Sequence, residues 1–117
     1  MKFITFVTTT NAADAGAPPP ALMQAIVQLG MEAGASLVES GGMSDTATIK
    51  VRQKQLITDG PFAESKELVG GYAIYDLPSA AEILNWTQRF ADLHRQHWPQ
   101  WEGQIAIQQL HVFGMPG

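Results

Sequence analysis

The run from Thr58 to Tyr72, Thr-Asp-Gly-Pro-Phe-Ala-Glu-Ser-Lys-Glu-Leu-Val-Gly-Gly-Tyr, narrows what this chain can fold into more than any other stretch. Asp59 stands where a strand should end. Gly60 can take dihedrals closed to other residues, and Pro61 fixes its own φ while pushing Gly60 away from the helical region. Phe62 offers the turn an apolar anchor, and Gly70-Gly71 opens a new strand at a place where bulky side chains do not fit. A shaped polar loop between two strands rules out an all-helical chain.

The segments on either side fill in the rest. Residues 2–9 are aromatic and β-branched with both faces apolar, which predicts a central strand. Residues 11–17 read as a loop, and Pro18-Pro19-Pro20 leads into a helix from about residue 20 to residue 32 or 33, with Leu22, Ile26, Leu29 and Ala33 on one face and Gly34 as its stop. Residues 36–39 predict a short strand ending in a Ser40-Gly41-Gly42 turn. A hairpin follows, residues 48–52 returning as 55–58 across Gln53-Lys54 and delivering the chain to Asp59. Residues 71–77 form a strand with Tyr72, Ile74 and Asp76 on one face. Ser79 and Glu82 are spaced as a capping box for a second helix, whose stripe is Ile83, Trp86, Phe90 and Leu93 or His94 and which Pro99 ends. Residues 104–113 are the last strand. The order predicts an α+β fold: a ferredoxin-like split βαβ with an antiparallel sheet and two helices on one face.

Such a sheet leaves its other face bare. With 117 residues, the chain is expected to be one domain. Only 15% of its residues are charged, below the usual quarter, so a second copy is expected to cover that face in a homodimer. A net charge of −4 and the lack of a Lys/Arg cluster argue against direct nucleic-acid binding. There is no cysteine, which removes disulfides, zinc-thiolate sites and thiol catalysis. Residues 1–15 resemble a secretory leader superficially, but the apolar run is too short and serves better as a strand. No run approaches a membrane span. A cytoplasmic location is expected.

The motif Ile57 to Glu67, with Gly70-Gly71-Tyr72 and a later helix bearing Trp86, resembles the DGPF-domain branch of the YCII-related family. Glu39-Ser40-Gly41-Gly42-Met43 is similar to that family's glycine-containing turn, and residues 94–103 to a tail found in part of the branch. The resemblance implies a ferredoxin-like subunit in a dimeric α+β barrel with a pocket in each subunit, and a link through genomic context to sigma factors of the extracytoplasmic-function type. Members of the wider family carry a His-Asp pair in the pocket. This chain has no histidine before His94, so Asp59 alone carries over.

Asp59 is therefore the candidate catalytic residue, a general base or polar anchor, and equally a turn-former that bonds backbone amides. Lys66, Tyr72, His94 and His97 are candidate ligand-binding residues, with Glu64 beside Lys66 in the loop. His94 and His97, three apart on one helix face, have a spacing two metal ligands can use, with His111 or Glu102 as a third; in a last helical turn they also suit the helix dipole with no metal. No metal site is assigned and no cofactor follows from any spacing: Walker loop, dinucleotide fingerprint and Ser-His-Asp ordering are all missing. The expected function is small-molecule binding, with acid-base chemistry at Asp59; the alternative is a non-catalytic regulatory or protein-interaction module.

Overall fold

The computed structural model describes residues 1–61 and 69–114. Phe62, Glu64 and Lys66 lie outside the described residues. The fold is mixed α+β. Strand β1 (Lys2–Thr9) is followed by a short helix α1 (Ala12–Ala15), helix α2 (Pro20–Ala33), a 3-10 turn (Gly34–Ser36) and β2 (Leu37–Met43). Strands β3 (Thr48–Arg52) and β4 (Gln55–Asp59) come next, then β5 (Gly70–Asp76), helix α3 (Ala80–His97) and β6 (Gly103–Leu110).

The main sheet has the order β2-β5-β1-β6, and each neighbouring pair is antiparallel. β5 thus lies between the two strands that α2 connects, and β1 is central, as its doubly apolar sequence predicts. Phe3, Thr5, Ala73, Tyr75 and Ile107 share one face of this sheet, and on it α2 and α3 bury Ala33, Leu77 and Ile83. Ser79 caps α3 by accepting a hydrogen bond from the Glu82 amide at 3.3 Å, one of the two bonds of the expected capping box. Arg89 lies 4.9 Å over the Trp86 ring and pairs with Glu32, tying α3 to α2.

A second, smaller core joins Ala15, Leu22 and Trp98, with Ile26, Leu93 and Trp101 against it. It explains α1, which the sequence presents as a loop. Four small residues form one helical turn that puts Ala15 under Trp98, whose indole N–H donates to the Ala15 carbonyl at 3.0 Å. Asn11 locks the same corner, donating to the Gln100 carbonyl and accepting from the Glu102 amide.

The opposite face of the sheet, carrying Ile4, Phe6, Tyr72, Ile74, Ala106 and Gln108, meets no helix among the described residues; Ile4, Phe6 and Ile74 are only half-buried and Ala106 is exposed. Besides α1, two further features differ from the sequence reading. The expected Ser40-Gly41-Gly42 turn is part of an edge strand that runs on to Met43. The last strand stops at Leu110, which leaves His111 and Val112 beyond it.

Strands β3 and β4 form a separate two-stranded ribbon. Its turn holds Gln53 and Lys54 at φ 51° and 64°, the twist a two-residue hairpin needs, achieved without glycine. The ribbon packs on itself and makes no extensive contact with the other described elements. The chain's radius of gyration is accordingly 16.7 Å, against about 13 Å for a compact domain of this length. No helix among the described residues is long and apolar enough to cross a membrane.

Candidate functional site

On the open sheet face, the register produces one designed-looking polar contact. Regular pairing would leave Glu39 on the same side as Leu37, which packs into the core. A bulge between Leu37 and Glu39 breaks the register, so Leu37 pairs with Tyr75 on the covered side while Glu39 pairs with Ile74 on the open one. Tyr72 lies opposite Gly41, and its ring occupies the space a side chain would take there: a Cβ on Gly41 would come 3.1 Å from Tyr72 Cε1. The Tyr72 hydroxyl reaches along β2 and donates to Glu39 Oε2 at 2.6 Å.

That hydrogen bond is the main reason the Tyr72 phenol titrates above its ordinary range, with desolvation and the Glu39 charge adding to it. Tyr72 is thereby held as a proton donor and does not act as a base near neutrality. Glu39 keeps free acceptor capacity, since a carboxylate offers about four lone-pair sites and the phenol uses one. The contact leaves a carboxylate beside the apolar side chains of Ile4, Phe6 and Ile74 on the same sheet face, able to accept a hydrogen bond or pair with a cation.

The other sequence candidates are elsewhere. Asp59 ends β4 opposite Thr48 at the root of the ribbon, exposed, and among the described residues no hydrogen bond or ion pair joins it to Tyr72, His94 or His97. Lys66 lies outside the described residues. His94 belongs to the second core. It is 5% exposed and packed by Phe90, Trp98 and Trp101, with ring centroids 4.7, 6.3 and 4.6 Å away. Its Nδ1 is 3.0 Å from the Phe90 carbonyl, which can only accept, so Nδ1 carries the proton. His97 is half-buried at the end of α3. Among the described residues no three His, Asp or Glu side chains gather around a point where one metal ion could be held.

Burial lowers the pKa of His94 below 6.5, outweighing the carbonyl bond that raises it. The folded chain then takes up this proton less readily than the unfolded one. Stability from neutral His94 is complete above the unfolded value and is lost as pH falls below it. Chemical denaturation at a series of pH values below neutrality is expected to show stability falling, with a slope of at most about 1.4 kcal/mol per pH unit from this group. His94→Gln is expected to flatten that slope; an unchanged slope would assign the acid sensitivity to other groups.

A shallow groove of about 240 Å³ lies between α3 and β6, walled by Leu84, Ala91, Trp101 and Ile105. It is open and mostly apolar, with Thr87, Gln88 and Gln104 also along it and no charged side chain in its lining.

Sequence reasoning placed Tyr72 on the correct face but did not single out Glu39 as its partner. The contact depends on a bulge, and the only sequence signal for it is Glu39 lying two residues before a glycine.

Compared with known proteins, the chain finds no match among curated ones. The model of the YCII-related domain family matches residues 7–94. That span includes Glu39, Asp59 and Tyr72 and ends on His94, leaving Trp98, Trp101 and β6 outside it. Covering about three quarters of the sequence, the match shows that this chain belongs to the YCII-related domain family.

Proposed function

We propose that this protein is a small-molecule-binding domain of the DGPF branch, acting in the cytoplasm as a homodimer in which ferredoxin-like subunits build a dimeric α+β barrel. The observation that carries this reading is the Tyr72–Glu39 hydrogen bond, set on a sheet face that is partly apolar and bare in the single chain. Covered by a second copy, that face becomes the wall of a cavity with one fixed donor and one carboxylate. Asp59, at the end of β4, is the acid-base candidate. His94, fully engaged in the second core, supports the fold and takes no part in binding.

A thermal-shift screen of small molecules bearing hydroxyl or amine groups tests this. At least one class of compound is expected to raise the melting temperature of the wild type, with the shift reduced by half or more in Glu39→Gln and Tyr72→Phe. Asp59→Asn is expected to keep binding while losing any turnover found for the same compound. A compound bound equally well by all three variants would remove the site from this face.

A second reading, a non-catalytic regulatory or protein-interaction module linked to sigma-factor-dependent transcription, draws on the exposed apolar ribbon. Co-purification of a sigma factor, with no small molecule retained, would favour it.

A further inference from the structure

The β3–β4 ribbon is amphipathic. Its register puts Ile49 across from Thr58 and Val51 across from Leu56 on one side, and Lys50 across from Ile57 and Arg52 across from Gln55 on the other. Ile49, Val51 and Leu56 are 67%, 73% and 74% exposed, an apolar stripe that no other described element covers. A lone two-stranded ribbon is marginal in water and needs packing on one face. The stripe therefore calls for a partner surface, and the chain itself carries one: the open sheet face with Ile4, Phe6 and Ile74.

Charge and size agree with that match. The ribbon holds Lys50, Arg52 and Lys54 against the single Asp59, so residues 48–59 carry +2 in a chain whose total is −4, leaving −6 on the rest. The open face presents Glu39. Five-residue strands reach about 17 Å, close to the roughly 19 Å width of a four-stranded sheet. The ribbon does not fold back on its own sheet. A two-fold pair lets each copy give an arm and receive one.

We propose that the β3–β4 ribbon is an exchanged arm: in the homodimer it lays the Ile49–Val51–Leu56 stripe on the open sheet face of a second copy and closes that copy's Tyr72–Glu39 site. The site is incomplete without the arm. This rests on the dimer reading above and adds to it the segment that makes the closure. Lys50 and Arg52, on the other side of the arm, then face away from the covered sheet, and Glu39 keeps its free acceptor sites for a hydroxyl or cationic group of the ligand.

The full chain supplies the test, and its lack of cysteine gives a clean background for cross-linking. Chains bearing Val51→Cys are mixed with chains bearing Ile74→Cys or Ala106→Cys and treated with a short bismaleimide. Cross-linked heterodimers are expected for at least one of the two face positions. In sedimentation, the triple variant Ile49→Thr, Val51→Thr, Leu56→Thr is expected to dimerise at least about 100-fold more weakly, the scale set by three aliphatic side chains losing their cover. Its folding is checked by circular dichroism, since all three positions are exposed. Links only between two Val51→Cys chains, links within one chain carrying both cysteines, or an unchanged dimer constant in the triple variant would each overturn the arm while leaving the dimer reading standing. A wild type that is monomeric at micromolar concentration overturns both, as does a ribbon that binds another protein and leaves the open face bare.

Discussion

Trp98→Ala is expected to lower the unfolding free energy by about 3–5 kcal/mol, the range for emptying a buried large aromatic site. Trp98 is 6% exposed and closes the second core over Leu22, itself 1% exposed, and Ala15. It also stacks near His94 and Trp101 and satisfies the Ala15 carbonyl. Trp98→Phe separates these contributions. It keeps most of the packing and loses one hydrogen bond, so a cost of about 1 kcal/mol beyond the lost ring volume is expected. Denaturant titration of both variants measures the difference, and a Trp98→Ala cost under about 1 kcal/mol would mean that the second core is not part of the cooperative unit. Trp98 lies beyond the span matched by the family. A chain cut after His94 would lose this residue and β6, a neighbour of the central strand, and is expected not to fold.

The consequences for reading such sequences are specific. The central position of β1, the facing of Tyr72, the helix stripes and the Ser79 cap are all local: each follows from periodicity or from spacing within a few residues, and each is found in the structure. What was not legible depends on contacts far apart in sequence. Gly41 and Gly42 have turn propensity, yet Gly41 is used for the room it leaves under the Tyr72 ring, and the strand continues through it. Propensity yielded to a cross-strand contact. α1 was missed because its reason to be helical is Trp98, more than eighty positions away. His94 fell correctly on the apolar stripe of α3, but its role was open until Trp98 and Trp101 were seen to enclose it, turning a candidate ligand into a core residue. The candidate Tyr72–Glu39 contact was half legible for the same reason: the facing of Tyr72 follows from the strand period, whereas Glu39 reaches it only because a bulge re-aims the edge strand.

The glycine pair that opens β5 is expected to split sharply on substitution. Gly70 and Gly71 are adjacent, and the sequence treats them alike as positions where bulk is unwelcome. A Cβ on Gly70 would lie 2.5 Å from the Val7 carbonyl oxygen on the central strand, a backbone atom that cannot swing aside. A Cβ on Gly71 would meet only the Gly41 carbonyl oxygen at 3.4 Å, an ordinary contact. Gly70→Ala must therefore shift β5 against β1 or break their pairing at Thr8, and a cost of about 2–3 kcal/mol is expected, on the scale of overpacking in a well-packed interior. Gly71→Ala is expected to fall within about 0.5 kcal/mol of the wild type, its added bulk partly offset by the reduced freedom of the unfolded chain. Gly70 also pairs with Met43, the last residue before the ribbon's approach, so the same substitution loosens the root of the arm. Hydrogen exchange should show it: in Gly70→Ala the amide of Val69, which donates to the Met43 carbonyl at 2.8 Å, is expected to lose protection along with the β3–β4 ladder. Equal costs for the two substitutions would place the tolerance of this strand in backbone propensity alone and remove the close approach to Val7 as its cause.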